Sequence, residues 1–538
     1  MICDSLTSGS DIAADGTNAQ NRRALARLAV CCRTTSLPAL RALWRTVTEP
    51  TVIVKYTMPD GIWAVVPVES DDDEDDGDIL VATRPIVPAD LKRFMFYAPF
   101  IREMKFGWDV PLAVAEDSYS AICMACPAPV FPNLTRMGWD IDGPVLLYSR
   151  FFICPSLTSL HIVAGSISMG DVCILRCMPQ QCPAITEFKL DLETATDAII
   201  DALGEPICAW ALRKLDVTHI NQLCLVRLAN SHVLEELNVE NDQHKCGLSS
   251  LIDFPAGAFA SLTSLRLGIP LSFTACISML RASSFTALRV LAIHSLAPNP
   301  TRWGELFAAV RVAHTQPRLL RELILRDRLS DLEPISRGPE PDDVADSRFA
   351  PLYDFSQLEA VELSALDGFR LTDGVVESMA RAWPNLRTLR IICRTPLSSP
   401  QLSLAALAHL ASGCRSLASL EIDVNATGAS LAQVPPEPFT PQSALRRLQL
   451  NWSTIKSARP VAAYLSCLFS NIEELTSVSR DEALLSTLQC PRWLKVGYLL
   501  PAFTAVREYA ESRGTGEGAG RWKDFNDETF SGVYDQDL

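Results

Sequence analysis

Residues 372–391 read Thr-Asp-Gly-Val-Val-Glu-Ser-Met-Ala-Arg-Ala-Trp-Pro-Asn-Leu-Arg-Thr-Leu-Arg-Ile. Two periods share this stretch. Val376, Met379, Ala380 and Trp383 fall at i, i+3, i+4 and i+7, the spacing of one apolar helix face. Thr372 and Asp373 supply a helix start before them. Leu386, Leu389 and Ile391 then follow a different rule: apolar, two residues, apolar, one residue, apolar. The last two stand two apart, so they point to the same side of a short strand.

The triplet recurs. It appears at Leu157, Leu160, Ile162; Ile185, Phe188, Leu190; Leu212, Leu215, Val217; and Leu234, Leu237, Val239. It continues at Leu262, Leu265, Leu267; Leu288, Leu291, Ile293; Leu320, Leu323, Leu325; and Leu358, Val361, Leu363. After Leu386 come Leu417, Leu420, Ile422 and Leu445, Leu448, Leu450. Weaker copies flank the series at Ile101, Met104, Phe106; at Leu134, Met137, Trp139; and at Ile472, Leu475 with Val478 out of register. First anchors stand 22 to 38 residues apart, most often 26 to 28. A period in this range is the leucine-rich-repeat signature. Helical return segments recur too, at Leu404, Leu407, Ala408, Ala411 and at Val461, Tyr464, Leu465, Leu468. The expected fold is an α/β solenoid, a right-handed horseshoe with parallel strands on its concave face and helices on its convex face. An ordinary α/β domain rich in leucine yields occasional triplets, but not an ordered series at near-constant spacing.

Composition agrees. Of 538 residues, 48% are hydrophobic and 21% charged, enough to bury an extended core. The net charge of −15 argues against a polyanionic partner such as nucleic acid. No apolar run reaches membrane-spanning length. Met1 to Ala14 lacks the features of a signal peptide, so the expected compartment is cytosol or nucleus. The 17 cysteines follow no disulfide-scaffold spacing and read as reduced, buried small hydrophobes.

Near the N-terminus, Leu25, Leu28, Ala29 and Cys32 share one helical face, and Pro38 separates this helix from a second lined by Leu40, Leu43 and Trp44. The stretch from Arg23 to Arg33, followed by Leu43-Trp44, resembles the second half of an F-box, and Ile2 to Leu6 is similar to the end of its first helix. The whole is similar to the F-box/leucine-rich-repeat proteins of the fungal type. The family's opening Leu-Pro is absent, and residues 7–20 form a polar insertion, so the motif is truncated and interrupted. The resemblance implies docking on a Skp-type adaptor of a cullin-RING (SCF-type) ubiquitin ligase, with the repeats choosing a protein substrate. It implies adaptor contacts at Leu25, Leu28, Ala29, Cys32, Leu40 and Trp44, with Ile2 and Leu6 as weaker candidates. The alternative is that the two helices cap the open end of a scaffold with no ubiquitin link.

The expected layout is an F-box-like segment over 1–50, a linker over 51–97, repeats over 98–500, and a cap with a tail over 501–538. Residues 70–78 form an acidic block that repels itself and lacks calcium-loop spacing. Residues 326–351 read as an exposed loop, and Trp493 to Arg513 as a closing strand or helix.

Catalytic and metal chemistry find little support. Cys123 and Cys126 have CxxC spacing, but Cys173, Cys177 and Cys182 complete no zinc knuckle. The histidines are isolated, and no nucleophile elbow or phosphate-binding loop occurs. Asn133, Asn425 and Asn451 stand in glycosylation sequons that matter only on a secretory route. No enzyme activity, metal or cofactor is expected. The expected site is instead the row of strand residues between the last two anchors: His161, Lys189, Asp216, Asn238, Arg266, Ala292, Ile324, Glu362, Arg390, Glu421 and Gln449. Its mixed charge suits a protein surface better than a uniform ion, and simple solvation of the wall is the bland alternative.

Overall fold

One backbone carbonyl per repeat accepts two amide hydrogens from the next repeat, and this contact sets the stack. Arg102 O accepts from Thr135 N at 2.7 Å and Arg136 N at 3.0 Å, and Thr135 O accepts from Thr158 N and Ser159 N. Arg321 O does the same for Glu359 and Ala360, and Glu359 O for Arg387 and Thr388. The bond pair falls just before each strand, so neighbouring strands start level and their side chains meet in register.

The computed structural model describes residues 15–48, 50–67, 78–106, 112–126, 129–140, 152–240, 253–296, 302–327, 345–365, 368–393, 400–428, 440–477 and 489–512. Ile2, Leu6, most of the acidic block, residues 328–344 and the tail from 513 lie outside them. The chain divides into two compact units, Met1–Asp242 and Gln243–Leu538.

In the first unit the strands are β1 (Thr46–Val47), β2 (Trp63–Pro67), β3 (Asp78–Ala82), β4 (Glu103–Phe106), β5 (Leu112–Val114), β6 (Arg136–Asp140), β7 (Ser159–Ala164), β8 (Glu187–Leu192), β9 (Lys214–Val217) and β10 (Glu236–Val239). The order β1-β4-β6-β7-β8-β9-β10 makes a parallel sheet that follows the chain. The helices are α1 (Asp15–Cys31), α2 (Arg33–Leu43), α3 (Pro50–Thr57), α4 (Lys92–Tyr97), α5 (Glu116–Ala125), α6 (Met169–Gln181), α7 (Asp197–Ala209) and α8 (Gln222–Ala229). Caps start the last three. Ser168 and Asp171 close a capping box, and Thr196 and Asn221 each accept an N–H from the residue three on.

The second unit repeats the plan with β11 (Ser264–Ser272), β12 (Val290–Leu296), β13 (Glu322–Asp327), β14 (Ala360–Ala365), β15 (Thr388–Cys393), β16 (Ser419–Glu421), β17 (Asn425–Ala426), β18 (Arg447–Gln449), β19 (Thr454–Ile455) and β20 (Glu474–Thr476). Within it, β11-β12-β13-β14-β15-β16-β18-β20 form the parallel sheet, and β17 pairs with β19. The helices are α9 (Phe273–Ala282), α10 (Trp303–Ala313), α11 (Ala345–Phe349), α12 (Asp373–Ala382), α13 (Ala405–Gly413), α14 (Ala458–Leu468) and α15 (Gln489–Ser512). Leu386, Leu389, Leu417, Leu420, Leu445 and Leu448 are fully buried. Each such side chain contributes about 1.5–3 kcal/mol by leaving water. On α12 the expected face is the buried one, with Val376 and Met379, and Trp383 just past its end, all at 0% exposure. Both units are therefore leucine-rich-repeat solenoids, a strand layer backed by helices.

The layout differs from expectation at both ends. The repeat sheet begins at residue 46 rather than 98. Thr46 pairs with Glu103 and Val47 with Met104, which sets Trp44 at the first-anchor position that Ile101 holds in the next repeat. Residues 51–97 are not a linker. Those of them that are described, 51–67 and 78–97, hold most of α3, all of α4, and β2 and β3, which form a small sheet with β5: β2 runs antiparallel and β5 parallel to β3. Ile53, Val54, Ile62, Leu80 and Phe94 are buried, and the Phe94 ring packs on that of Phe131 at 5.8 Å. At the far end the boundary at 500 falls inside α15, which closes the last repeat. Trp493 is fully buried and donates through Nε1 to Ser453 O at 2.9 Å.

Candidate functional site

Register converts the strand residues between anchors into rows. In the first unit His161 lies opposite Lys189, Lys189 opposite Asp216, and Asp216 opposite Asn238. In the second, Arg266, Ala292, Ile324, Glu362, Arg390, Glu421 and Gln449 stand side by side across consecutive strands. Every predicted member of the row thus occupies it, within its own unit.

The rows are not free charges held toward water. Lys189 Nζ lies 3.4 Å from Asp216 Oδ2, and Asn238 donates to Asp216 Oδ1 at 2.8 Å. His161 is partly buried, and burial together with the neighbouring Lys189 holds its imidazole below the ordinary pKa. In the second unit Arg326 grips Glu362 with two bonds, Nε to Oε1 at 2.6 Å and Nη2 to Oε2 at 3.2 Å. Arg390 bridges two carboxylates, donating through Nη1 to Glu362 at 3.1 Å and through Nε to Glu421 at 2.7 Å. Asn451 donates to the other oxygen of Glu421 at 2.8 Å. Arg326 Nη1 also reaches His294 Nε2 at 3.4 Å. Glu362 and Glu421 are only 7% and 3% exposed, while the Arg326 and Arg390 side chains stay 38% and 34% exposed, so buried carboxylates alternate with partly wet guanidiniums. Burial pulls the Arg390 guanidinium down, but the two carboxylates outweigh it and hold it above its ordinary value. Arg266 reaches across the Ala292 strand to Glu322, at 3.0 and 3.1 Å. The small Ala292 leaves room for that span.

Arg326, His294, Asn451 and Glu322 were not among the expected row. Their signal was nonetheless present. Side chains on one strand face recur every two residues, so Arg326 follows Ile324 and His294 follows Ala292 on the same face, while Asn451 stands in the turn just past the end of β18.

Beside this row a cleft of about 200 Å³ is lined by Phe369, Leu371, Ile391, Leu402, Ile422 and Asp423, among others. Asp423 accepts Trp452 N–H at 2.8 Å, and burial pushes its carboxyl up to about 6. Among the described residues, no three His, Cys, Asp or Glu side chains converge where a metal ion could sit. Also among them, no helix is long and apolar enough to cross a membrane.

The N-terminal helices sort the expected adaptor contacts into two sets. Helices α1 and α2 pack on each other, with Thr35 Oγ1 donating to Leu28 O at 2.9 Å across the junction. Leu25 is 2% exposed, so it belongs to the core of the helix pair and offers no surface to a partner. This corrects the expectation for that residue. Leu28, Ala29 and Leu40 are half-buried. Trp44 is half-buried too, and its ring sits 5.0 Å from that of Tyr97. Cys32 is exposed, and hydrogen bonds from Thr34 and Thr35 pull its thiol down to about 7. Two exposed apolar residues join it, Val30 at 85% and Leu37 at 41%.

No family model matches the chain, and no curated protein matches it. Solved structures do. The chain is similar to an internalin from Listeria monocytogenes, at 12% identity and a TM-score of 0.34, over 75% of this chain and 87% of that one. A leucine-rich-repeat protein of Leptospira interrogans matches at 10% identity and a TM-score of 0.36, over 72% and 80% of the two chains. A chain from the yeast Rad7 and Elc1 complex matches at 11% identity and a TM-score of 0.31, over 75% and 88%. The repeat architecture itself stands on the strand register and the buried triplets.

Proposed function

We propose that this protein is a non-catalytic interaction module of the cytosol or nucleus: a substrate-recognition subunit of a cullin-RING ubiquitin ligase whose strand rows bind a protein. The observation that carries the protein-binding part is the alternating charge row. Its side chains are held in place by one another before any partner arrives, so little side-chain entropy remains to be lost on docking. The exposed part of the row in the second unit is the arginine side, so a partner with hydrogen-bond acceptors opposite Arg326 and Arg390 would be selected over a basic one.

The adaptor part is supported by the sequence resemblance and by Val30 and Leu37, apolar residues on α1 and α2 that remain exposed. A second reading has its own observation. Trp44 stands in the anchor register of the first repeat, as expected if α1 and α2 only cap the solenoid. Purified Skp-type adaptor and the full chain separate the two. The ligase reading expects a complex at micromolar concentrations that Val30→Asp and Leu37→Asp each abolish while the thermal melt is unchanged. No complex with the intact chain leaves the scaffold reading in place.

A further inference from the structure

Two cysteines on neighbouring repeats meet side chain to side chain. Cys208 lies in the last turn of α7 and Cys224 in the first turn of α8, and their Sγ atoms are 3.5 Å apart. Gly204, one turn before Cys208, permits this approach. A Cβ placed there would press on the Cys224 Cβ at 3.3 Å and on the Asn221 side chain at the same distance. Asn221 in turn fixes the start of α8 by accepting Cys224 N–H at 2.8 Å. The thiols are therefore placed by the two helix backbones.

The surroundings differ for the two sulfurs. Cys208 is partly exposed and Cys224 is 1% exposed. The Cys224 S–H and the Arg227 guanidinium hold the Cys208 thiol below its ordinary pKa against the cost of burial. The same contact and burial raise that of Cys224. A cavity of about 310 Å³ bordered by Gly204, Asn221 and Arg227 reaches Cys224, while Cys208 meets solvent through its own partly exposed side chain.

We propose that Cys208 and Cys224 are a peroxide-sensing dithiol that closes to a disulfide and staples one repeat helix to the next. Cys208 thiolate attacks one oxygen of hydrogen peroxide, the O–O bond breaks, and a sulfenic acid and hydroxide form. Cys224 sulfur then attacks the Cys208 sulfur, the S–O bond breaks, and hydroxide leaves to take up the Cys224 proton as water. In sum two thiols and one peroxide give one disulfide and two waters. A disulfide needs about 2.05 Å between sulfurs, so the gap to close is about 1.5 Å. The sulfur with thiolate character and access reacts first, and the buried one resolves it.

The reduced full chain, treated with a small excess of hydrogen peroxide, blocked with iodoacetamide and digested without reductant, tests this by mass spectrometry. The expected product is a linked pair of peptides containing Cys208 and Cys224, about 2 Da lighter than their sum and separated by reductant. Cys224→Ser should let dimedone capture Cys208 as its sulfenic acid, about tenfold more than in the parent protein. Cys208→Ser should leave Cys224 a free thiol. Recovery of both cysteines alkylated, under conditions that oxidise the exposed Cys32, overturns the proposal. So does a sulfinic acid at Cys208 with no linked peptide. The linkage in the parent protein needs no variant, so a poorly folded substitution does not obscure the result.

Discussion

Arg390→Met tests whether the charge chain on the strand face is structure or decoration. The substitution keeps the unbranched stem and removes the guanidinium. Glu362 then loses one bond of three and retains both from Arg326, while Glu421 loses its 2.7 Å partner and retains only Asn451. The two carboxylates are therefore unequally stranded, and Glu421, at 3% exposure, is the worse case. A charge-assisted hydrogen bond contributes about 1.5–3 kcal/mol, and breaking a buried ion pair by removing one partner costs about 3–5 kcal/mol. The expected loss is in that second range, read as a shift of the urea midpoint at constant m. Adding Glu421→Gln to Arg390→Met removes the stranded charge, keeps the acceptor for Asn451 and should return about half of the loss. A loss below about 1 kcal/mol for Arg390→Met would place both carboxylates in the regime of surface pairs and refute their dehydration.

Two further perturbations bear on packing and pH. Gly413→Ala places a Cβ 2.7 Å from Ala380 O and 2.9 Å from Ala380 Cβ, so α12 and α13 must separate; a loss of about 1–3 kcal/mol is expected, against little change for Gly428→Ala, whose surroundings are open. His314 is buried against Val310 O at 2.7 Å, and burial holds its imidazole down to about 4 against 6.5 for a free histidine. The unfolded chain then binds the extra proton first, so stability is full above about pH 6.5 and falls as pH drops toward 4. Roughly 3 kcal/mol is at stake. Asp423, raised to about 6, acts in the opposite sense over the same window, so the comparison is between chains: the midpoint of His314→Phe should rise relative to that of the parent as pH falls from 7 to 4, and parallel slopes would exclude the assignment.

What was legible in the sequence follows from how local each signal is. A triplet such as Leu386, Leu389, Ile391 carries its whole meaning within a few residues, because all three must enter the same interior. The helix faces are equally local. The first repeat was hidden because Trp44 replaces the usual leucine and its strand is only Thr46–Val47. In the sequence, residues 51–97 read as a linker because the acidic block dominates their composition, while Ile53, Val54, Leu80 and Phe94 are too scattered to show a period. The row positions were legible, since alternation along one strand needs no neighbour. Their pairings were not. Arg266 meets Glu322 two strands away, and that contact depends on register and on the size of Ala292 between them. Cys208 and Cys224 likewise sit 16 residues apart on different helices, a spacing that belongs to no thiol motif.

Trp44 shows why the N-terminal segment must be tested away from its most conspicuous residue. An aromatic at a packed protein interface costs about 2–4 kcal/mol of affinity when truncated, and a core aromatic costs about 3–5 kcal/mol of stability. The two ranges overlap, and Trp44 serves a structural role whatever else it does. It precedes the first strand, occupies the first-anchor register and rests on Tyr97. Arg41, one turn earlier on α2, lies 5.9 Å from the ring of Phe100, so the end of α2 is tied to the repeat that follows. Truncating Trp44 would loosen that tie and the helix pair together, and loss of adaptor binding would then have two sources. Val30 and Leu37 lack this ambiguity, because an exposed side chain contributes little to the fold and its replacement by Asp acts on whatever binds there. The discriminating residues are thus the ones a hydrophobic-stripe reading passes over, since a stripe marks the side a helix buries and a docking site needs what the helix leaves out.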